Sequence, residues 1–122
     1  MASIRSETAV PVAASPMSAW KRLEMVTCRK LGGERRGPTG HAVSDCVGTR
    51  WTVSVKRSKR GTPERAWIDD AIAFSRREHK PWLLVVAQHS DRTLIVVCEL
   101  AHFLELAGDA GWLPPSDAAE AA

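Results

Sequence analysis

The stretch Ser44-Asp45-Cys46-Val47-Gly48-Thr49-Arg50-Trp51-Thr52-Val53-Ser54-Val55-Lys56-Arg57 decides the fold. From Trp51 onward apolar and polar residues alternate. A strand there turns Val53 and Val55 into a core and Ser54 and Lys56 to the opposite face. Gly48-Thr49 predicts a turn that folds 44–47 onto 50–57 as a hairpin. Asp45 then stands beside Ser54 and Lys56, and an acid, a small polar residue and a lysine on one surface suit a divalent cation and a phosphate.

An Asp in a Ser-Asp step, a short hairpin and then a strand ending in acid-x-Lys resembles the PD-(D/E)XK nuclease superfamily. The order of elements resembles its Holliday-junction-resolvase-like and small phage-type branch. Asp45 matches the first acid and Lys56 the lysine. The second acid of the pattern falls at position 54, where this chain has Ser54. The resemblance implies an α/β (α+β) fold with a restriction-endonuclease-like αβββαβ core, a mixed central sheet flanked by helices. It also implies an Mg²⁺- or Mn²⁺-dependent endonuclease acting on DNA, branched forms among its candidate substrates, with a homodimer as a candidate assembly. Asp45, the backbone carbonyl of Val55 and a first-helix Glu24 are the implied metal ligands, with Lys56 orienting the attacking water. A serine hydroxyl removes a full negative charge from such a site. Three explanations stay open: Glu24 compensates, Asp69 or Asp70 on the next helix takes over, or the domain keeps DNA binding and has lost cleavage.

Outward from this stretch, 122 residues suit one domain with one core. The net charge of +3 is unevenly spread: positions 20–80 carry 15 Lys/Arg against 7 acids, the rest 2 against 7. A basic middle points to an anionic partner, nucleic acid first among them; a solvated basic surface is the plain alternative. No apolar run approaches the roughly 20 residues that span a bilayer, and a cytoplasmic location with no membrane partner is the simplest expectation. Cys28, Cys46 and Cys98 are an odd number, widely spaced, which predicts reduced thiols and no disulfide framework. Cys28, His41 and Cys46 lack zinc-ligand spacing.

In chain order, 1–15 read as a disordered arm, 16–108 as the nuclease-like domain and 109–122 as a flexible tail. Ser15-Pro16 marks a helix start, and Trp20, Leu23, Val26 and Leu31 give helical spacing over 17–31, stopped by Gly32-Gly33. Glu24 borders that stripe, either reaching the site or pairing with Lys21. Arg35 and Arg36 open a glycine-rich loop suited to phosphate, and Arg57, Lys59 and Arg60 leave the strand as a basic run. His41 on that loop reads as exposed, not as a base. A second helix from 62 or 63 to 78 is followed by strands at 82–88 and 93–98, both apolar enough to be central, and by a closing helix at 99–108 whose Leu100, Phe103, Leu104 and Ala107 share a face. Two further functions compete with the nuclease. One is a non-catalytic DNA-binding module on the same fold; the other is a small protein-interaction domain using its five tryptophans.

Overall fold

The computed structural model describes residues 17–37, 43–88 and 93–114. The predicted arm at 1–15, the start signal Ser15-Pro16, His41, the turn at 89–92 and the tail beyond 114 lie outside them. Among the described residues eight elements follow one another: α1 (Ala19–Lys30), β1 (Glu34–Arg35), β2 (Cys46–Val47), β3 (Thr52–Ser58), α2 (Arg65–Glu78), β4 (Trp82–Gln88), β5 (Thr93–Val97) and α3 (Leu100–Asp109). The fold is mixed α/β.

The main sheet has the order β3-β4-β5, with β4 parallel to β3 and antiparallel to β5. α2 makes the crossover that a parallel pair requires. Strand alternation then divides the apolar residues between two cores. On one face Val53, Val55 and Val85 meet Cys28 and Cys46, with Trp20, Leu23, Leu31 and Trp51 packed around them, so α1 covers this side. On the other, Trp82, Leu84 and Val86 meet Ala71, with Trp67, Ile68, Ile72, Ile95 and Val97 around them, so α2 covers that side. Each fully buried Val or Leu in these clusters contributes about 1.5–3 kcal/mol relative to exposure.

α1 begins at a different cap from the one expected. Ser18 accepts the Lys21 N–H at 3.1 Å, while Arg29 and Lys30 complement the dipole at the far end. Gly32 then takes a positive φ of 92° and Gly33 donates its N–H back to the Cys28 carbonyl. A Cβ on Gly33 would lie 2.2 Å from the Val47 carbonyl oxygen. That close approach lets the end of α1 lie on β2.

Three expectations are corrected. Residues 44–47 do not form a hairpin ladder with β3. β2 instead pairs antiparallel with β1, Glu34 opposite Val47 and Arg35 opposite Cys46. β2 meets β3 through backbone at the Asp45 N–H, donated to the Val53 carbonyl at 2.8 Å. Second, Cys28 and Cys46 are joined in a disulfide, both buried at the centre of the α1-side core; packing brings together two thiols that lie 18 residues apart in sequence. Cys98 alone is unbonded. Third, β4 is central as expected, but among the described residues β5 is an edge, with Leu94 and Val96 exposed. α3 starts at Leu100 and runs through Asp109, one residue into the stretch expected to be tail. No helix among the described residues is long and apolar enough to cross a membrane.

Candidate functional site

Among the described residues no strand of its own sheet pairs the outer edge of β3, and Asp45 bonds to that edge. After its N–H has bonded Val53, its carboxylate Oδ2 accepts the Val55 N–H at 2.7 Å. One residue thus supplies a backbone link and then a side-chain link to the same strand. Burial pushes the Asp45 carboxyl above its ordinary value; the Val55 N–H opposes that rise, Glu24 adds to it, and Lys56 and Arg35 pull it down. That set of influences brings Asp45, Glu24, Lys56 and Arg35 into one electrostatic neighbourhood.

Glu24 is buried on α1, and Arg35 Nε donates to its Oε1 at 2.8 Å. The cation of Glu24 is Arg35 and not Lys21, and Glu24 lies within electrostatic reach of Asp45. Lys56 is half-buried near the end of β3. Ser54 is only 3% exposed and shares the α2-facing side of the strand with Thr52. Asp69 and Asp70 are exposed on α2, with Asp69 paired to Arg65 at 3.1 Å, and neither is among the groups acting on Asp45.

The expected phosphate-binding residues divide into two groups. Arg35 and Arg36 are engaged within the domain. Arg36 donates to the Ser44 carbonyl at 2.8 Å, to Ser44 Oγ at 3.1 Å and to the Cys46 carbonyl at 3.3 Å. Arg57, Lys59 and Arg60 instead line an open cleft of about 700 Å³ together with Thr62, Glu64 and Arg65. Lys59 and Arg60 are exposed, and the Arg57 guanidinium lies 5.5 Å from the Trp20 ring centre. Ser58 Oγ takes the Thr62 N–H at 2.9 Å and donates to the Thr62 carbonyl at 2.7 Å, which fixes the loop carrying these cations.

Sequence reasoning missed Glu78. Its carboxylate accepts from Ser44 Oγ at 2.6 Å and Thr52 Oγ1 at 3.0 Å, with Arg36 at 3.6 Å. This network pins the residue before Asp45 to the first residue of β3. The signal was an acid at the C-terminal end of a helix, where the dipole disfavours it; such a residue calls for a partner elsewhere.

The donor set tests the implied cation. No three His, Cys, Asp or Glu among the described residues stand close enough to hold a metal ion. Cys28 and Cys46, bonded to each other, offer no thiolate for zinc. What is present is two neighbouring carboxylates, one already paired to an arginine. Mg²⁺ is commonly held by one or two carboxylates plus substrate phosphates, so the set fits an ion shared with a phosphate and not an all-protein cage. Comparison of the chain with family models, curated proteins and solved structures gives no match.

Proposed function

We propose that this domain is a divergent PD-(D/E)XK-type nuclease on a restriction-endonuclease-like core, binding DNA and hydrolysing a phosphodiester beside Asp45. The observation that carries the reading is that Glu24 and Lys56 both act on the carboxyl of Asp45 at the edge of β3, with the cleft of Arg57, Lys59 and Arg60 beginning one residue beyond Lys56. Asp45 and Glu24 would hold an Mg²⁺ together with the substrate phosphate, with the Val55 carbonyl as a further oxygen; such an ion, when bound, polarises the phosphoryl oxygen and acidifies a water. Lys56 provides a fixed positive charge for the negative charge that develops on the phosphate oxygens. Arg35 orients Glu24, and Asp45 is oriented by the Val55 N–H. The exposed cations of the cleft draw in the DNA backbone through a salt-dependent attraction.

A second reading, DNA binding without cleavage, is favoured by two observations: Ser54 carries no charge, and Glu24 is tied to Arg35. Labelled linear, flapped and four-way DNA incubated with Mg²⁺ or Mn²⁺ separates the two. Cleavage by the wild type that disappears in Asp45→Ala and Lys56→Ala supports the nuclease. Binding without cleavage, with activity appearing in Ser54→Glu, supports the second reading. A wild type that neither binds nor cuts any of these DNAs overturns both.

A further inference from the structure

We propose that the Cys28–Cys46 disulfide is a redox control on the carboxylate pair: closed, it holds Glu24 at Asp45, and a dithiol reductant that opens it releases Glu24 together with α1. What this does to a cation rests on the nuclease reading; the placement of Glu24 does not.

Each bonded cysteine stands beside one carboxylate. Cys46 follows Asp45 in the chain, and the Cys28 sulfur lies 3.5 Å from the Asp45 carbonyl oxygen. Glu24 precedes Cys28 by four residues on α1, so the two side chains share a face one turn apart, and both are buried. The contacts close into a ring. Glu24 accepts from Arg35 Nε, and Arg35 stands opposite Cys46 in the β1–β2 ladder, with its side chain on the same face. Cys46 is bonded to Cys28, and one turn of helix leads back to Glu24. The disulfide is the covalent cross-link of that ring. It works against a repulsion, because Glu24 and Asp45 carry like charges.

Opening the bond strains this arrangement. Cys28 and Cys46 are 0% and 1% exposed, packed with Val53, Val55 and Val85. Two thiol sulfurs must move apart to van der Waals contact, and a close-packed core has no spare volume for that. The three valines are fixed in the β3–β4 ladder of seven residue pairs, and Asp45 is bonded twice to β3. α1 is therefore the part that yields, and it carries Glu24 away from Asp45.

A dithiol supplies the two electrons. One of its thiolates attacks a cysteine sulfur, the S–S bond breaks, and the other cysteine leaves as a thiolate that takes up a proton. The second thiolate of the reductant then displaces the first cysteine in the same way, which leaves two thiols in the protein and a cyclic disulfide in the reductant. Buried sulfurs are reached only through local opening, and the β1–β2 ladder of two residue pairs offers it. The exchange should run over minutes to hours, as uncatalysed disulfide rearrangements do.

Hydrogen exchange of the full chain, oxidised and after equilibration with excess dithiothreitol, tests this. Alkylation and mass spectrometry define the two states: Cys98 alone reacts in the first, all three cysteines in the second. On reduction, exchange at the Arg35 Nε–H and the α1 amides should rise at least about tenfold while the β3 and β4 amides keep their protection. Mn²⁺ should broaden the Val55 amide signal at about tenfold higher concentration in the reduced state. Cys98→Ser should leave both responses as in the wild type. A bond that resists dithiothreitol in the folded chain overturns the proposal, and so does unchanged exchange on reduction. Acceleration that extends through β3 and β4 overturns it too, since the bond is then a staple of the whole fold, as does equal Mn²⁺ broadening in both states. Faster α1 exchange with no Mn²⁺ broadening in either state supports the control of the pair and counts against the cation of the nuclease reading.

Discussion

The two edges of the three-stranded sheet are finished in opposite ways. At β3 the edge is closed by polar groups of the chain itself: the Asp45 backbone, its carboxylate, and the Glu78 network behind Ser44, with the Cys28–Cys46 bond holding α1 to β2. At β5 no described strand pairs the outer edge, and Leu94 and Val96 are exposed. Closing an edge with a carboxylate buries charge, and that favours compensating cations nearby, here Lys56 and Arg35. Leaving an edge open keeps main-chain bonds available to a partner.

The contrast fails if the β3 edge does not depend on its fastenings. The largest effect is expected from Cys28→Ala/Cys46→Ala, which removes the one covalent tie and should cost about 3 kcal/mol in urea unfolding. An unchanged midpoint would mean that hydrogen bonds and packing hold α1 to β2 unaided. Gly33→Ala comes next. Its Cβ meets the Val47 backbone, so β1–β2 must shift at a cost of about 2 kcal/mol, read by thermal melting.

Glu78→Ala leaves the buried Ser44 and Thr52 hydroxyls without their acceptor and should cost about 1–2 kcal/mol. Glu78→Gln keeps an acceptor and should cost less, which sharpens the claim that the carboxylate serves as a brace.

Asp45→Asn should have the smallest effect on stability, and its sign is informative. A carboxyl held above its ordinary value in the folded state destabilises the fold progressively as pH rises from the unfolded value through the folded one. In the absence of added divalent cation, the Asn variant should therefore match the wild type in acid and melt higher near neutrality. A lower melting point at neutral pH would show that the charge of Asp45 is better compensated than its burial suggests.

These fastenings also mark what the sequence could and could not disclose. β4 was legible from end to end because seven consecutive residues, six of them apolar, between Pro81 and a turn leave few alternatives. β3 was legible because alternation has a period. Asp45, Glu24 and Lys56 stand out by residue type and order, and in the fold Glu24 and Lys56 both act electrostatically on Asp45. β1 and β2 were not legible as a pair, since two-residue strands carry no period. The disulfide and the Glu78 brace join positions 18, 26 and 34 residues apart in sequence, distances at which only the assembled fold determines proximity. α3 teaches a different lesson: its helix is legible from the spacing of Leu100, Phe103, Leu104 and Ala107, but that only Ala107 of these is buried is not, because periodicity describes a face and not what the face meets.

The double attachment of Asp45 to β3 turns the Val55 amide into a reporter. Its hydrogen points at the same carboxylate that a cation or a proton would claim, so its NMR chemical shift and its rate of exchange with deuterium follow the state of that oxygen. Titrating Mg²⁺ while watching this one resonance reads occupancy at the site without any cleavage being required.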